Sequence, residues 1–278
     1  MKPPFPLCCT PRAFELLTQS AGMIDCPDAL LQGAVAIAMH HTENVELAEI
    51  DSAVQVHVDA VRSRVRGHQP QALLAHLHAY LFEEQMFCGN TDNYYATANS
   101  YLPTVLETRR GLPITLCLLY KLIGERLGLR IHGIGLPGHF LAGVDVDGSL
   151  MLVDPFAGGR EVTQEEAHAK LQEMFGPDVE WTSELLQPVN NRQWLTRILQ
   201  NLLRTYGAAG HYADVAAVLE MEMLLWPAQD HLQRDLALVL ARIGLAKPAS
   251  LWLDNYLRHN PDDPQKPDLE QLLEVLST

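Results

Sequence analysis

The chain has 278 residues, of which 47% are hydrophobic and 19% are charged, so it can fold as one large or two ordinary domains. Its 20 Lys and Arg against 34 Asp and Glu leave a formal net charge of −14. That surface repels phosphate on average, which argues against non-specific nucleic-acid binding and against binding to anionic membranes. No apolar run approaches the ~18 residues of a membrane span, and we expect no secretory signal at the N-terminus.

The cysteines and histidines do not form a metal-binding pattern. Five scattered cysteines without a CxxC pair predict neither a disulfide framework nor a zinc site: Cys8, Cys9, Cys26, Cys88 and Cys117. His40 and His41 are adjacent, and His76 and His78 are two apart, whereas two metal ligands on one helix are usually three or four residues apart. We therefore expect a reduced, cytoplasmic protein with no metal and no cofactor.

The N-terminal third is predicted to be helical after a loosely ordered lead-in over residues 1–20, which are rich in proline and polar groups. Apolar periodicity predicts helices over residues 27–41, 51–66 and 71–87. The second of these is ambiguous, because its valines fit both a strand alternation and a helical stripe. Its length and the stop at Gly67 favour the helix.

A polar loop with aromatic residues follows over residues 88–100, where Asn, Asp and Thr side chains compete for backbone hydrogen bonds. Ser100 is predicted to cap a short helix that ends at Gly111. Pro113 begins the next helix, which ends at Gly128. The first turns of that helix are apolar almost all round, which is typical of a central helix.

Three strand-like runs follow, over residues 130–136, 139–146 and 150–154. Asp147-Gly148 predicts a two-residue hairpin turn, so that the numbers of paired residues sum to 295. His139 and Asp154 then lie on one face as diagonal neighbours, with backbones about 7–8 Å apart. The carboxylate would orient the imidazole and stabilise its protonated form, as in a catalytic triad. The alternative is a half-buried histidine that a nearby aspartate merely satisfies.

The C-terminal third repeats itself after a helix over residues 164–174 and a predicted linker over residues 176–188. Gly210 and Gly244, and Trp226-Pro227 and Asn260-Pro261, are separated by 34 residues. This order of helix, glycine turn, helix and proline resembles a tetratricopeptide repeat; the alternative is an unrelated four-helix bundle. The predicted helices cover residues 192–208, 212–225, 230–243, 248–258 and 267–276.

The middle of the chain resembles the core of the transglutaminase-like, papain-related fold. The resemblance rests on a helix, the sequence Leu-Gly-Leu, a strand that carries His139 and a strand that ends in Val-Asp-Pro at Asp154. It implies that His139 is the superfamily's histidine and that Asp154 is the third member of its triad. The superfamily's cysteine, at the start of the central helix, falls on Pro113, which carries no nucleophile.

Nearly the whole chain resembles the bacterial SirB-type family, in which such a domain precedes tetratricopeptide repeats. The resemblance implies an α+β protein. Residues 21–178 would be N-terminal helices with a transglutaminase-like core, and residues 189–278 would be an all-α repeat domain. The family is associated with regulation. The segments that carry the resemblance are Asn93-Tyr94-Tyr95, Asn99-Ser100, the run from Arg109 to Ile114, the run from Gly135 to Phe140, and Asp154-Pro155-Phe156.

Two functions remain open from the sequence. The first is a non-catalytic regulatory module that keeps a degenerate cleft and binds a protein or peptide partner through its repeats and cleft. The second is a thiol-dependent amidase, peptidase or acyltransferase that uses Cys117, one helical turn (about 6 Å) beyond Pro113. Thr115, or a water activated by the His139 and Asp154 pair, is a further candidate nucleophile. The residues predicted to line the cleft, or else to cap the loop and the helix end, are Asn93, Tyr95, Asn99, Ser100, Arg109 and Arg110.

Overall fold

The computed structural model describes residues 5–42, 44–67 and 69–277, which form an α+β structure of two compact units. The described residues of Met1–Glu43 and Leu199–Thr278 form the helical unit, and those of Asn44–Ile198 form the mixed unit. The sequence analysis placed residues 21–178 in one domain, whereas the helix at Ala29–His41 lies in the helical unit. Within these described ranges, no helix has the length and apolar character needed to cross a bilayer.

The helices follow one another along most of the chain, with a π-helical turn at Ala79–Glu84. The α-helices of the described residues are α1 (Pro11–Gly22), α2 (Ala29–His41), α3 (Leu47–Arg62), α4 (Pro70–His78), α5 (Leu102–Thr108), α6 (Pro113–Leu127), α7 (Gln164–Phe175), α8 (Asn191–Ala209), α9 (Tyr212–Leu225), α10 (His231–Arg242), α11 (Ala246–His259) and α12 (Lys266–Leu276). The strands are β1 (Cys88–Gly89), β2 (Arg110–Gly111), β3 (Ile131–Ile134), β4 (Leu141–Val146), β5 (Ser149–Asp154), β6 (Arg160–Val162) and β7 (Pro188–Val189).

The five-stranded antiparallel sheet of the mixed unit has the order β6-β5-β4-β3-β7. The hairpin of β4 and β5 has the predicted register, from Ala142 opposite Val153 to Val146 opposite Ser149. Asp147 and Gly148 have φ angles of 49° and 82°, as a two-residue hairpin turn requires. The turn dipeptide was therefore sufficient to predict which residues face one another.

Helix α6 is buried on nearly every side, which confirms the prediction of a central helix. Its first residue is Pro113, and Gly128 ends it in the left-handed conformation with a φ of 97°. Gly124 permits close packing on the sheet, because a Cβ at that position would lie 2.2 Å from Ile131 Cδ1. Trp194 packs against Phe140 with ring centroids 4.7 Å apart, and its indole N–H donates to the carbonyl of Ile114 at 3.3 Å.

Two segments are more ordered than the sequence predicted. The lead-in contains α1, which begins at Pro11 and buries Ala13, Leu17 and Ser20. The sequence analysis took the prolines of this segment as a sign of a loop, although proline also suits the first position of a helix.

The predicted linker over residues 176–188 contains a short 3₁₀ turn and reaches β7, which pairs with β3. Its apolar side chains pack on the core of the mixed unit: Val179, Trp181, Leu185 and Leu186.

The polar loop ends differently from the prediction. Ser100 does not cap α5, because it belongs to a 3₁₀ turn at Thr97–Ser100. Helix α5 ends at Thr108, where Arg109 takes the left-handed conformation with a φ of 61°. Gly111 lies instead in β2, which pairs in parallel with β1. The prediction that Gly111 ends this helix was therefore wrong.

The C-terminal helices repeat their backbone geometry after 34 residues. Gly210 and Gly244 have φ angles of 74° and 82°. Trp226 and Asn260, which end α9 and α11, have φ and ψ angles of −129° and 64°, and of −126° and 64°. The predicted markers thus occupy equivalent places in two successive helix pairs, and α12 follows them.

The helical unit also buries a carboxylate that the sequence analysis did not identify. Glu220 on α9 is fully buried. It accepts backbone N–H hydrogen bonds from Leu7 at 2.5 Å, Cys8 at 3.0 Å and Cys9 at 2.7 Å. This carboxylate therefore fixes the segment before α1 to α9.

Candidate functional site

His139 and Asp154 form a close pair at one end of the β4 and β5 hairpin. The Nε2 atom of His139 lies 2.8 Å from Oδ2 of Asp154. The side chains are 7% and 5% exposed, so the contact is almost free of solvent. His139 precedes β4, which begins at Leu141, rather than lying within the strand as predicted. The pairing register still brings the imidazole to the carboxylate.

Asp154 is held as a carboxylate by several partners. Its Oδ1 atom accepts backbone N–H hydrogen bonds from Phe156 at 3.0 Å and Ala157 at 3.2 Å. Burial by itself would raise the pKa of the Asp154 carboxyl. The hydrogen bond and charge of His139, the charge of Lys170 and the N–H of Ala157 outweigh burial, so this pKa lies below its ordinary value of 3.8.

Lys170 of α7 is a third functional group beside the pair, and the sequence analysis missed it. Its Nζ atom lies 3.2 Å from Nε2 of His139 and 3.8 Å from Oδ2 of Asp154. Nε2 cannot both donate to the carboxylate and accept from the ammonium, and the shorter contact favours donation to Asp154. The Lys170 side chain is 46% exposed, so its ammonium also faces solvent. In the sequence it resembles any charged residue on the exposed face of a helix.

A cavity of about 360 Å³ opens beside the pair, between α7 and the strands. Leu136, Leu141, Val162 and the two alanines Ala167 and Ala169 form its apolar surface. The charged and polar side chains of its wall are His139, Asp154, Arg160, Glu166, Lys170 and Glu173. The arrangement thus combines an apolar floor with a charged rim, as in many small-ligand sites.

The candidate nucleophiles of α6 lie away from solvent. Cys117 is fully buried, and its thiol lies 3.6 Å from the carbonyl oxygen of Phe140. Burial, and then the negative charge of Asp154, raise the pKa of this thiol well above its ordinary value. The Thr115 hydroxyl is also buried and has no hydrogen-bond partner within the described ranges. Both environments oppose formation of the anion that attacks a substrate.

Of the residues predicted to line the cleft, Asn99 and Ser100 are buried, and Asn99 is hydrogen-bonded within the loop. The Asn99 amide donates to the carbonyls of Asn93 at 2.7 Å and Tyr94 at 3.0 Å. Tyr95 is 74% exposed at the surface of this loop. Asn99 therefore stabilises the loop, and the Tyr95 side chain is exposed on its surface.

Aromatic rings connect this loop to the pair. The Phe156 ring centroid is 6.4 Å from that of His139 and 5.8 Å from that of Tyr94, which in turn lies 5.3 Å from Tyr95. A Cβ on Gly89 would lie 2.4 Å from the Phe156 ring, so the glycine of β1 leaves room for it.

The two arginines near the helix tip have other contacts. Arg110 donates through Nη1 to the carbonyls of Met86 at 2.7 Å and Arg109 at 3.1 Å. Burial first, and then the charge of Arg109, lower the pKa of the His57 imidazole. Among the contacts of the described residues, none joins either arginine to the His139 and Asp154 pair. The predicted cationic rim at this position remains a prediction.

Comparisons with known proteins agree with this architecture. Residues 48–200, nearly the whole mixed unit, match the family described as the transglutaminase-like superfamily. A UPF0162 protein of Xylella fastidiosa is 33% identical over 236 residues, which cover 84% of both chains. A UPF0162 protein of Vibrio cholerae is 25% identical over 255 residues, 89% of this chain and 92% of the relative. F-box only protein 21 of Mus musculus is 26% identical over 281 residues, 87% of this chain and 44% of that protein. No solved structure gives a significant match.

Proposed function

The chain belongs to the transglutaminase-like superfamily, and from this premise we propose that it is a non-catalytic, regulatory protein-binding module with a degenerate Cys-His-Asp site. The observation that carries this proposal is the contrast within the site. The His139 and Asp154 pair is intact and desolvated, whereas the only thiol of α6 is fully buried with a raised pKa.

Pro113 supports the loss of the nucleophile. The resemblance places the superfamily's cysteine at the first residue of α6, where Pro113 lies in this chain. A thiol at that position would benefit from the positive end of the helix dipole, which lowers a thiol pKa. Cys117 lies beyond the first turn, where that effect has faded, and a reacting atom displaced by even 1 Å can lose about a hundredfold in rate.

The repeated helix pairs support a binding role for the helical unit. The backbone equivalence at a 34-residue interval is what two tetratricopeptide-like repeats would give, and α12 would close the array. Arrays of this kind bind extended peptides along their surfaces. In our proposal, the chain is therefore a SirB-type protein whose repeats and cleft bind a protein or peptide partner, and whose place is the reducing cytoplasm.

The rival function is a thiol-dependent amidase, peptidase or acyltransferase that uses Cys117. Such an enzyme needs a thiolate that is accessible to substrate and lies beside the imidazole. The contact of the Cys117 thiol with the Phe140 carbonyl and the raised thiol pKa weigh against it.

Alkylation of the native full-length chain tests the proposal. Iodoacetamide is added between pH 6 and pH 8.5, and mass spectrometry locates each labelled cysteine. We expect Cys26, which is exposed, to be labelled, and Cys117 to be protected until urea unfolds the chain. The variant His139→Ala should leave both rates unchanged. Labelling of Cys117 at pH 6 that is faster than labelling of Cys26, and that His139→Ala abolishes, would favour the enzyme instead.

A further inference from the structure

The cavity beside His139 has an apolar floor and several charged side chains on its rim. Leu136 and Leu141 are buried members of the core, and Val162 lies at the end of β6. The volume of about 360 Å³ is near the lower end of the range for small-ligand sites, about 300–1,000 Å³. The space therefore suits one small apolar group.

Most of the rim charges already have partners. Asp154 accepts hydrogen bonds at both oxygens. Arg160 and Glu166 pair with each other at 2.6 Å, and Glu166 also caps α7 through the N–H of Thr163 at 2.8 Å. These charges are thus satisfied within the protein.

Lys170 and Glu173, unlike the other charged residues of the rim, have no hydrogen-bonded partner of opposite charge within the described residues. The ion pair of Lys170 is to Asp154 at 3.8 Å, which is too long for a hydrogen bond. Glu173, three residues further along α7, forms no ion pair within the described part of the chain. Residues three apart lie on one face of a helix. The rim therefore presents an ammonium that lacks a hydrogen-bonded carboxylate, with a carboxylate next to it.

We propose that this cavity binds the carboxylate-bearing end of a small apolar amino acid, with the carboxylate on Lys170 and the side chain on the floor of Leu136, Leu141 and Val162. This inference rests on the proposed function, since it assigns a ligand to the degenerate site. Two sources share that chemistry: the C-terminal residue of a peptide, and a free amino acid, whose ammonium would face Glu173.

The charges of the wall disfavour a phosphate dianion. A phosphate dianion would lie near Asp154, Glu166 and Glu173, with only Lys170 and the already paired Arg160 as cations. A monoanion on an apolar body needs one ammonium and gains from the floor. The net charge of −14 repels anions elsewhere on average, so the local cation decides where such a group binds.

Isothermal titration calorimetry of the full-length chain at pH 7 tests the proposal with three probes: leucine, N-acetyl-leucine and leucinamide. We expect both carboxylates to bind and leucinamide, which lacks a carboxylate, to bind at least tenfold more weakly. Lys170→Met should weaken the binding of leucine and of N-acetyl-leucine at least tenfold. The matched control Lys247→Met, at an exposed lysine of α11, should change neither.

The comparison of leucine with N-acetyl-leucine distinguishes a free amino acid from the C-terminus of a peptide. If the ligand is a free amino acid, Glu173→Gln weakens leucine about threefold and leaves N-acetyl-leucine unchanged. If it is a peptide C-terminus, N-acetyl-leucine binds at least as tightly as leucine and Glu173→Gln affects neither. Ala169→Leu, which fills the mouth of the cavity from the exposed face of α7, should abolish binding in both cases.

The proposal is wrong if millimolar carboxylate gives no binding heat, if leucinamide binds equally well, or if Lys170→Met changes nothing. None of these results bears on the protection of Cys117 from alkylation, so this inference and the proposed function can fail separately.

Discussion

The mixed unit and the helical unit each bury a carboxylate, and the partners of the two acids differ. Asp154 faces His139 and Lys170 at the edge of a cavity, and its pKa is lowered. Glu220 accepts only backbone N–H groups from Leu7, Cys8 and Cys9 in its described contacts. Burial outweighs those hydrogen bonds and raises the pKa of Glu220. Burial of an acid is therefore a weak sign of function, whereas cationic partners beside a cavity are a stronger one.

The largest expected effect comes from removing the acid that has ionic partners. Asp154→Ala leaves the N–H groups of Phe156 and Ala157 and the imidazole of His139 without their acceptor. Breaking a buried pair of this kind costs about 3–5 kcal/mol in the free energy of unfolding. Urea unfolding at pH 7 measures the loss. A loss below about 1 kcal/mol would mean that the pair is not desolvated in solution.

A smaller effect is expected at Glu220. The variant Glu220→Gln removes the cost of burying a charge, but it keeps only one acceptor oxygen, so its NH2 group faces either the N–H of Leu7 or those of Cys8 and Cys9; we expect a cost of about 1–2 kcal/mol. The variant Asp154→Asn should cost more in the same urea experiment, because it also removes the negative charge opposite His139 and Lys170. Equal costs for the two amide variants would contradict the distinction between the two acids.

A still smaller difference between Glu220 and Asp154 is expected in how the free energy of unfolding depends on pH. Because the folded chain holds the Glu220 proton more tightly than the unfolded chain, wild type gains stability relative to Glu220→Gln as pH falls from 7 toward 4.5. Because the pKa of Asp154 is lowered on folding, its contribution is complete above pH 3.8 and is lost only as pH falls further. Each pKa unit is worth about 1.4 kcal/mol. Urea midpoints at pH 7, 5.5, 4.5 and 3 measure both differences.

Local patterns in the sequence predicted much of the fold. The Asp147-Gly148 turn fixed the register that brings Asp154 to His139, because side-chain direction alternates strictly along strands. The apolar surround of α6 predicted a central helix, and the 34-residue interval predicted the helices of the C-terminal third.

The parts that could not be predicted depend on tertiary contacts. Lys170 reaches His139 from a helix 31 residues away, and an exposed lysine on a helix carries no signal of that approach. Glu220 differs from a surface glutamate only by its apolar neighbours on α9, a signal that was available and was overlooked. Arg109 takes a left-handed conformation, which glycine adopts far more readily than arginine does. Helix α5 therefore ends at Thr108, before Arg109, and not at the predicted Gly111.

The most direct test of the central claim, an intact His139 and Asp154 pair without a nucleophile at the start of α6, is to supply the missing thiol. In Pro113→Cys, checked for folding by circular dichroism, the introduced thiol should react with iodoacetamide at pH 6 at least tenfold faster than Cys117, the buried thiol one turn further along the same helix. The double variant Pro113→Cys with His139→Ala should lose that advantage. An introduced thiol that reacts no faster than Cys117, or whose rate does not depend on His139, would contradict the account.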